Sequence, residues 1–308
     1  MYTISRRQFL EAIAGLGAAV FVGGCSKDGQ AGPSSTVPRK QRFNIEGIIV
    51  ASGRGPAKNT RAAIEAIGGM QKIVRQGDFV VIKPNIAWNR PPESAATTNP
   101  EVVAELVRLC IAAGASKVLV ADHIIDRPAE GVLGFTGIKE SAEKAGAEVK
   151  AFQQESDYTS IAIPKGKILK SDTLAKDILA ADVFINVPIA KTHSATRLTL
   201  GMKNLMGCNW DRQSWHQSPS LEQCIADYAT AVRPTLIVLD ATRILLTNGP
   251  KGPGTTKDVD KVVVGTDPVS VDAYGATLFG MKPTEVSHIY LASQMGLGNI
   301  TPSQIKTV

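Results

Sequence analysis

Short apolar runs recur along the chain, separated by segments whose apolar residues return every three or four positions. The runs at 48–51, 79–82, 117–121, 148–152, 183–187, 236–239 and 262–264 are of strand length and rich in Val and Ile. Helical spacing marks 60–74, 100–113, 137–145, 173–180, 221–232 and 268–279. Two starts are explicit: Asn99 precedes Pro100, and Asp267 precedes Pro268, each a capping residue followed by proline at the first helical position. Strands that alternate with helices and are apolar throughout predict an α/β fold. It has a mostly parallel sheet with helices on both faces, as a single domain over 45–308.

The N-terminal pattern is different. Arg6 and Arg7 stand in a Ser-Arg-Arg-Gln-Phe-Leu context, followed by an uncharged, Ala- and Gly-rich stretch over 12–24. That stretch is too short and too weakly apolar for a comfortable membrane span, and it predicts a twin-arginine-type signal peptide over 1–24. Val22-Gly23-Gly24-Cys25 resembles a lipobox, which makes Cys25 the expected lipidation site. Residues 25–44 then read as the lipidated Cys and a flexible linker. The expected partners of this end are the twin-arginine translocase and a membrane reached through the lipid anchor. The expected location is periplasmic or extracytoplasmic.

In open α/β sheets, ligands sit outside the carboxyl ends of the strands. The residues that follow the predicted strands are polar at almost every such end: Lys83 and Asn85, Asp122, Lys191 and His193, and Asp240. Lys191 and His193 are two apart on an extended segment and point to one side. Lys203 and Asn204 follow within a short apolar stretch and add a cation and an amide. The 249–254 loop alternates Gly and Pro around Lys251, and its Gly249 and Lys251 are further candidates for holding an anion. That loop lacks the Gly-Lys-Ser/Thr ending of a nucleotide P-loop, and no G-x-G-x-x-G follows the first strand.

The predicted site is thus one crevice for a small anionic ligand. Lys83, Asn85, Lys191, Lys203, Asn204, Gly249 and Lys251 would bind it, and His193, Asp122 and Asp240 would carry acid–base chemistry. His193, Asp240 and Asp272 are the candidates should a metal be present; the cofactor is left open. The Trp-rich segment 210–216 reads either as a lid or as a packed surface cover.

Composition narrows the class. Lys plus Arg is 34 against 28 for Asp plus Glu, and the net charge of +6 is spread without a basic run. Aromatics are 5%. Neither feature suits a nucleic-acid surface. The four cysteines include no C-x-x-C pair, which argues against zinc-ribbon and thioredoxin-type chemistry.

The ordered series Lys83-Pro84-Asn85, Pro188-x-x-Lys191-Thr192-His193, Lys203-Asn204-Leu205-Met206-Gly207, Asp240, Asn248-Gly249-Pro250 and Thr266-Asp267-Pro268 with Asp272 resembles the DUF362 family, over roughly 45–295. The resemblance implies a single α/β domain. Some members of the family carry added ferredoxin-type iron–sulfur modules, but this chain lacks the clustered cysteines for one. Where the family usually has a Gly-rich segment after the third strand, this chain has Asp122-His123-Ile124-Ile125. The functional expectation is an exported lipoprotein enzyme acting on a small anionic substrate or cofactor. The alternatives are a non-catalytic solute- or cofactor-binding lipoprotein and an accessory protein to an iron–sulfur or redox partner.

Overall fold

The computed structural model describes residues 43–308. Arg6, Arg7, Cys25 and the linker up to residue 42 lie outside the described residues. In chain order the elements are β1 (Ile48–Ser52), α1 (Pro56–Ala66), β2 (Phe79–Pro84), α2 (Pro100–Ala112) and β3 (Lys117–Asp122). Next come α3 (Ala129–Phe135), α4 (Ile138–Lys144), β4 (Glu148–Ala151), β5 (Tyr158–Ala162), β6 (Ser171–Ala175) and α5 (Lys176–Ala180). β7 (Val183–Val187), β8 (Ile189–His193), β9 (Arg197–Thr199), α6 (Gly201–Asn204), α7 (Gln213–Gln217) and α8 (Leu221–Ala231) follow. The chain closes with β10 (Leu236–Leu245), β11 (Thr256–Gly265), α9 (Pro268–Thr277), α10 (Ser287–Gln294) and β12 (Ile305–Thr307).

The main sheet runs β12-β1-β11-β10-β7-β2-β3-β4. Its centre, β10-β7-β2-β3-β4, is parallel, whereas β11 runs antiparallel to both β1 and β10. Alternate residues of the same strands feed two cores. Val81, Phe184, Ile237, Leu239 and Val263 point to one face, and Val80, Ile82, Val183, Ile185, Val238 and Val264 to the other. This is why these strands read as unbroken apolar runs: helices cover both sides. The described residues form a single α/β domain with a mostly parallel mixed sheet.

Four predicted elements change. The helix expected over 60–74 starts earlier, at Pro56, and ends at Ala66. Gly68 and Gly69 take φ of 95° and 88°, a region that favours glycine and stops the helix. The expected helix 173–180 is a strand followed by one helical turn. Ser171–Ala175 pairs antiparallel with the preceding strand Tyr158–Ala162, a pairing that the helical spacing of 173–180 does not reveal. β10 and β11 run ten residues each, well past the short apolar segments 236–239 and 262–264.

Candidate functional site

A cavity of about 1100 Å³ opens beyond the ends of β2, β3 and β8. Lys83 lies in β2, fully buried, with Nζ 2.7 Å from Asp122 Oδ1 at the end of β3. The same ammonium donates to the Pro84 carbonyl at 2.9 Å. Asp122 also accepts the backbone N–H groups of Ile86 and His123 at 2.8 and 2.9 Å. This buried pair is locally neutral and joins two strand ends.

Lys191 and His193 line the same cavity from β8. Lys191, 1% exposed, donates to Asn85 Oδ1 at 3.1 Å and to the Ala96 carbonyl at 2.5 Å. Asn85 in turn donates to Asn204 Oδ1 at 2.9 Å, and Asn204 to Asn186 Oδ1 at 2.8 Å. Asn186 donates to the Gly201 carbonyl at 2.9 Å. The amides of Asn85 and Asn204 are thus committed to a relay that orients Lys191 and fixes α6. Lys203, on α6, lines the cavity, and its ammonium donates to the Met206 thioether sulfur at 2.8 Å.

The electrostatics follow from burial and crowding. Burial pushes the Lys191 ammonium well below its usual range, and the neighbouring Lys203 adds to this. Burial, with Arg212 and Lys83 nearby, brings Lys203 down to about 7. Burial, with Lys203 and Lys191 nearby, holds His193 at about 2, so its imidazole is neutral. Its Nδ1 accepts the Ala195 N–H at 3.1 Å, which leaves the ring proton on Nε2. In this form His193 presents its Nε2–H as a hydrogen-bond donor.

The outer wall is aromatic. His123 stacks on Trp210 with ring centroids 5.6 Å apart, and the Tyr158 hydroxyl lies 3.0 Å from His123 Nδ1. Burial and Arg212 bring His123 down to about 4. Arg212 and Thr199 also line the cavity, and the sequence reading missed both as site residues. Thr199 Oγ1 is buried without a hydrogen-bond partner. Arg212 sits in the Trp-rich segment, which forms one wall of the cavity and includes the short helix α7. Thr199 pairs with Lys191 across the β8–β9 hairpin, a contact invisible without the register.

Other expected residues are placed elsewhere. Asp240 does not join this cavity: it lies within β10, opposite Ile189 and Val262, rather than at a strand end. Its buried carboxylate accepts Asn99 N at 2.7 Å, Thr242 N at 2.9 Å and Thr242 Oγ1 at 2.7 Å, and it faces a second cavity. Asp272 accepts the Gly201 and Met202 N–H groups at 2.6 and 2.9 Å, so it caps α6. Burial pushes its carboxyl up to about 7. His193, Asp240 and Asp272 thus do not converge, and among the described residues no three His, Cys, Asp or Glu side chains gather as a metal site. Gly249 N donates to Thr192 Oγ1 at 3.2 Å, and Lys251 pairs with Asp126 at 3.0 Å beneath the Trp88 ring. That loop reaches the cavity through Pro250 instead.

Fold and cavity define an α/β protein with a buried, cation-rich site at its strand ends. The model of the Domain of unknown function (DUF362) matches residues 80–277, and the chain belongs to this family. Among similar proteins, Thylakoid-associated protein sll1697 of Synechocystis sp. is 26% identical over 247 residues, covering 77% of this chain and 74% of that one. The lactate racemase apoprotein from Thermoanaerobacterium thermosaccharolyticum aligns with TM-score 0.47 and 14% identity over 78% of this chain. A Thermotoga maritima protein aligns with TM-score 0.41 and 10% identity over 79% of it. The chain spans 58% and 60% of the length of those two structures.

Proposed function

We propose that this protein is an exported, lipid-tethered enzyme that binds a small anionic substrate in the cavity of Lys191, Lys203 and Arg212. The observation that carries the reading is the state of Lys203. A buried ammonium held by a thioether, with two other cations lowering its proton affinity, is in an unfavourable environment that an anion relieves. The pair Lys83–Asp122 is neutral as a unit, so the positive excess rests on Lys191, Lys203 and Arg212.

Chemistry at this site is proton transfer. An amine brought down to about 7 exchanges a proton at neutral pH, which suits Lys203 as the acid–base group. His193, neutral and carrying its proton on Nε2, donates to an oxygen that gains negative charge as the proton leaves. The export half of the proposal rests on Arg6, Arg7 and Cys25. Among the described residues, no helix is long and apolar enough to cross a membrane, so the proposed attachment is the lipid on Cys25.

The test is solvent exchange. Small carboxylates and phosphates are incubated with the protein in deuterium oxide and followed by proton NMR. Loss of a substrate proton with wild type, absent with Lys203→Met, supports the enzyme. Saturable anion binding without exchange for any compound in the panel favours the solute-binding lipoprotein instead.

A further inference from the structure

A second cavity, of about 570 Å³, lies on the other side of the segment that precedes α2. The segment is a shared wall. The Ala96 carbonyl takes the Lys191 ammonium on the cationic side, while Thr97 and Asn99 line the second cavity. The charge there is reversed. Glu93, Glu101, Asp240, Asp258 and Asp260 line it against one cation, Arg243, which is itself paired with Asp258 at 2.6 Å.

Two independent features point to a ligand. Thr97 is 1% exposed and lines the cavity, yet its Oγ1 has no hydrogen-bond partner. Buried hydroxyls are normally satisfied, so an unpartnered one on a cavity wall marks a missing partner. Asp240, fully buried, receives its hydrogen bonds from the neutral groups of Asn99 and Thr242 rather than from a charged partner.

The form of the cation follows from the layout. Among the described residues, no three His, Cys, Asp or Glu side chains gather as a metal site, these carboxylates included. Pro56, Pro92, Pro100 and Ile189 line the cavity as well. We propose that this cavity binds an aliphatic polyamine, its ammonium groups on the carboxylates and the Thr97 hydroxyl, and its methylene segments against the prolines and Ile189. The volume is within the range of small-molecule sites.

Calorimetric titration of the full-length chain with spermidine at low salt tests this. Saturable binding is expected at one site. It should weaken at least about fivefold in Thr97→Val and in the exposed double variant Glu93→Gln/Glu101→Gln, and remain unchanged in Lys203→Met, which alters only the cationic cavity. No saturable binding overturns the proposal. So does wild-type affinity in both Thr97→Val and the double variant, loss of binding in Lys203→Met, or displacement of spermidine by equimolar magnesium. The proposal does not depend on the anion site, and failure of the solvent-exchange experiment leaves it standing.

Discussion

The Lys83 ammonium and the Asp122 carboxylate lie 2.7 Å apart with neither side chain exposed by more than 2%. They join the ends of two adjacent parallel strands beneath the cationic cavity. Removing one partner leaves the other charged, buried and unpaired. Asp122→Asn should therefore cost about 3–5 kcal/mol in denaturant unfolding. Lys83→Met/Asp122→Asn should cost less than the sum of the two single variants. Additive costs would show that the pair does not interact energetically.

Lys203 gives the stability a distinctive pH dependence. Its ammonium titrates at about 7 in the fold against 10.5 in the unfolded chain. Between these values the unfolded state holds the proton and the folded state does not, so raising the pH through this window favours folding. Below about 7 both states are protonated, and the full burial penalty is present. Wild type should therefore gain stability relative to Lys203→Met as the pH rises from 7 to 10, by up to a few kcal/mol. A constant difference across that range would mean that Lys203 keeps its proton in the fold.

His193 should not titrate in the physiological range. With burial and two lysines holding it at about 2, and Nδ1 accepting from Ala195, its ring is the neutral Nε2–H form. Nitrogen-15 chemical shifts of labelled imidazole should report that tautomer unchanged from pH 5 to 8. A titration near 6.5 would show that the ring is solvated and free to act as a base.

Export is read from the N-terminal segment alone. Arg6→Lys/Arg7→Lys should leave precursor in the cytoplasm, because lysine lacks the planar guanidinium fork. Cys25→Ser should move the mature protein from membranes to the soluble fraction. Fractionation and immunoblotting check both, and a membrane-bound Cys25→Ser protein would contradict lipidation at this residue.

The sheet was legible because its central strands are buried on both faces and so appear as apolar runs such as 79–82 and 183–187. The gathering of Lys83, Asp122, Lys191 and His193 follows from parallel topology, which sends successive strand ends to one edge. Asp240 broke the same argument. Its strand continues through polar and mixed residues to Leu245, so the end of the apolar run is not the end of the strand. Asp272 showed periodicity but not purpose: its two oxygens meet backbone N–H groups of α6, about 70 residues away in the chain. Arg212 and Thr199 carried no local signal, since one comes from a loop-borne wall and the other from a hairpin register.

We propose that Lys191, Lys203 and Arg212 form an anion site whose occupancy is tied to the charge on Lys203. Sulfate remains a dianion across neutral pH, so its binding, followed by calorimetry from pH 6 to 8.5, reads the protein's titration alone. Saturable binding at pH 6 is predicted, weakening as the pH passes about 7 and lost in both Lys203→Met and Arg212→Met. Sulfate binding that survives Lys203→Met, or that is independent of pH over this range, would show that the Lys203 ammonium does not hold the anion.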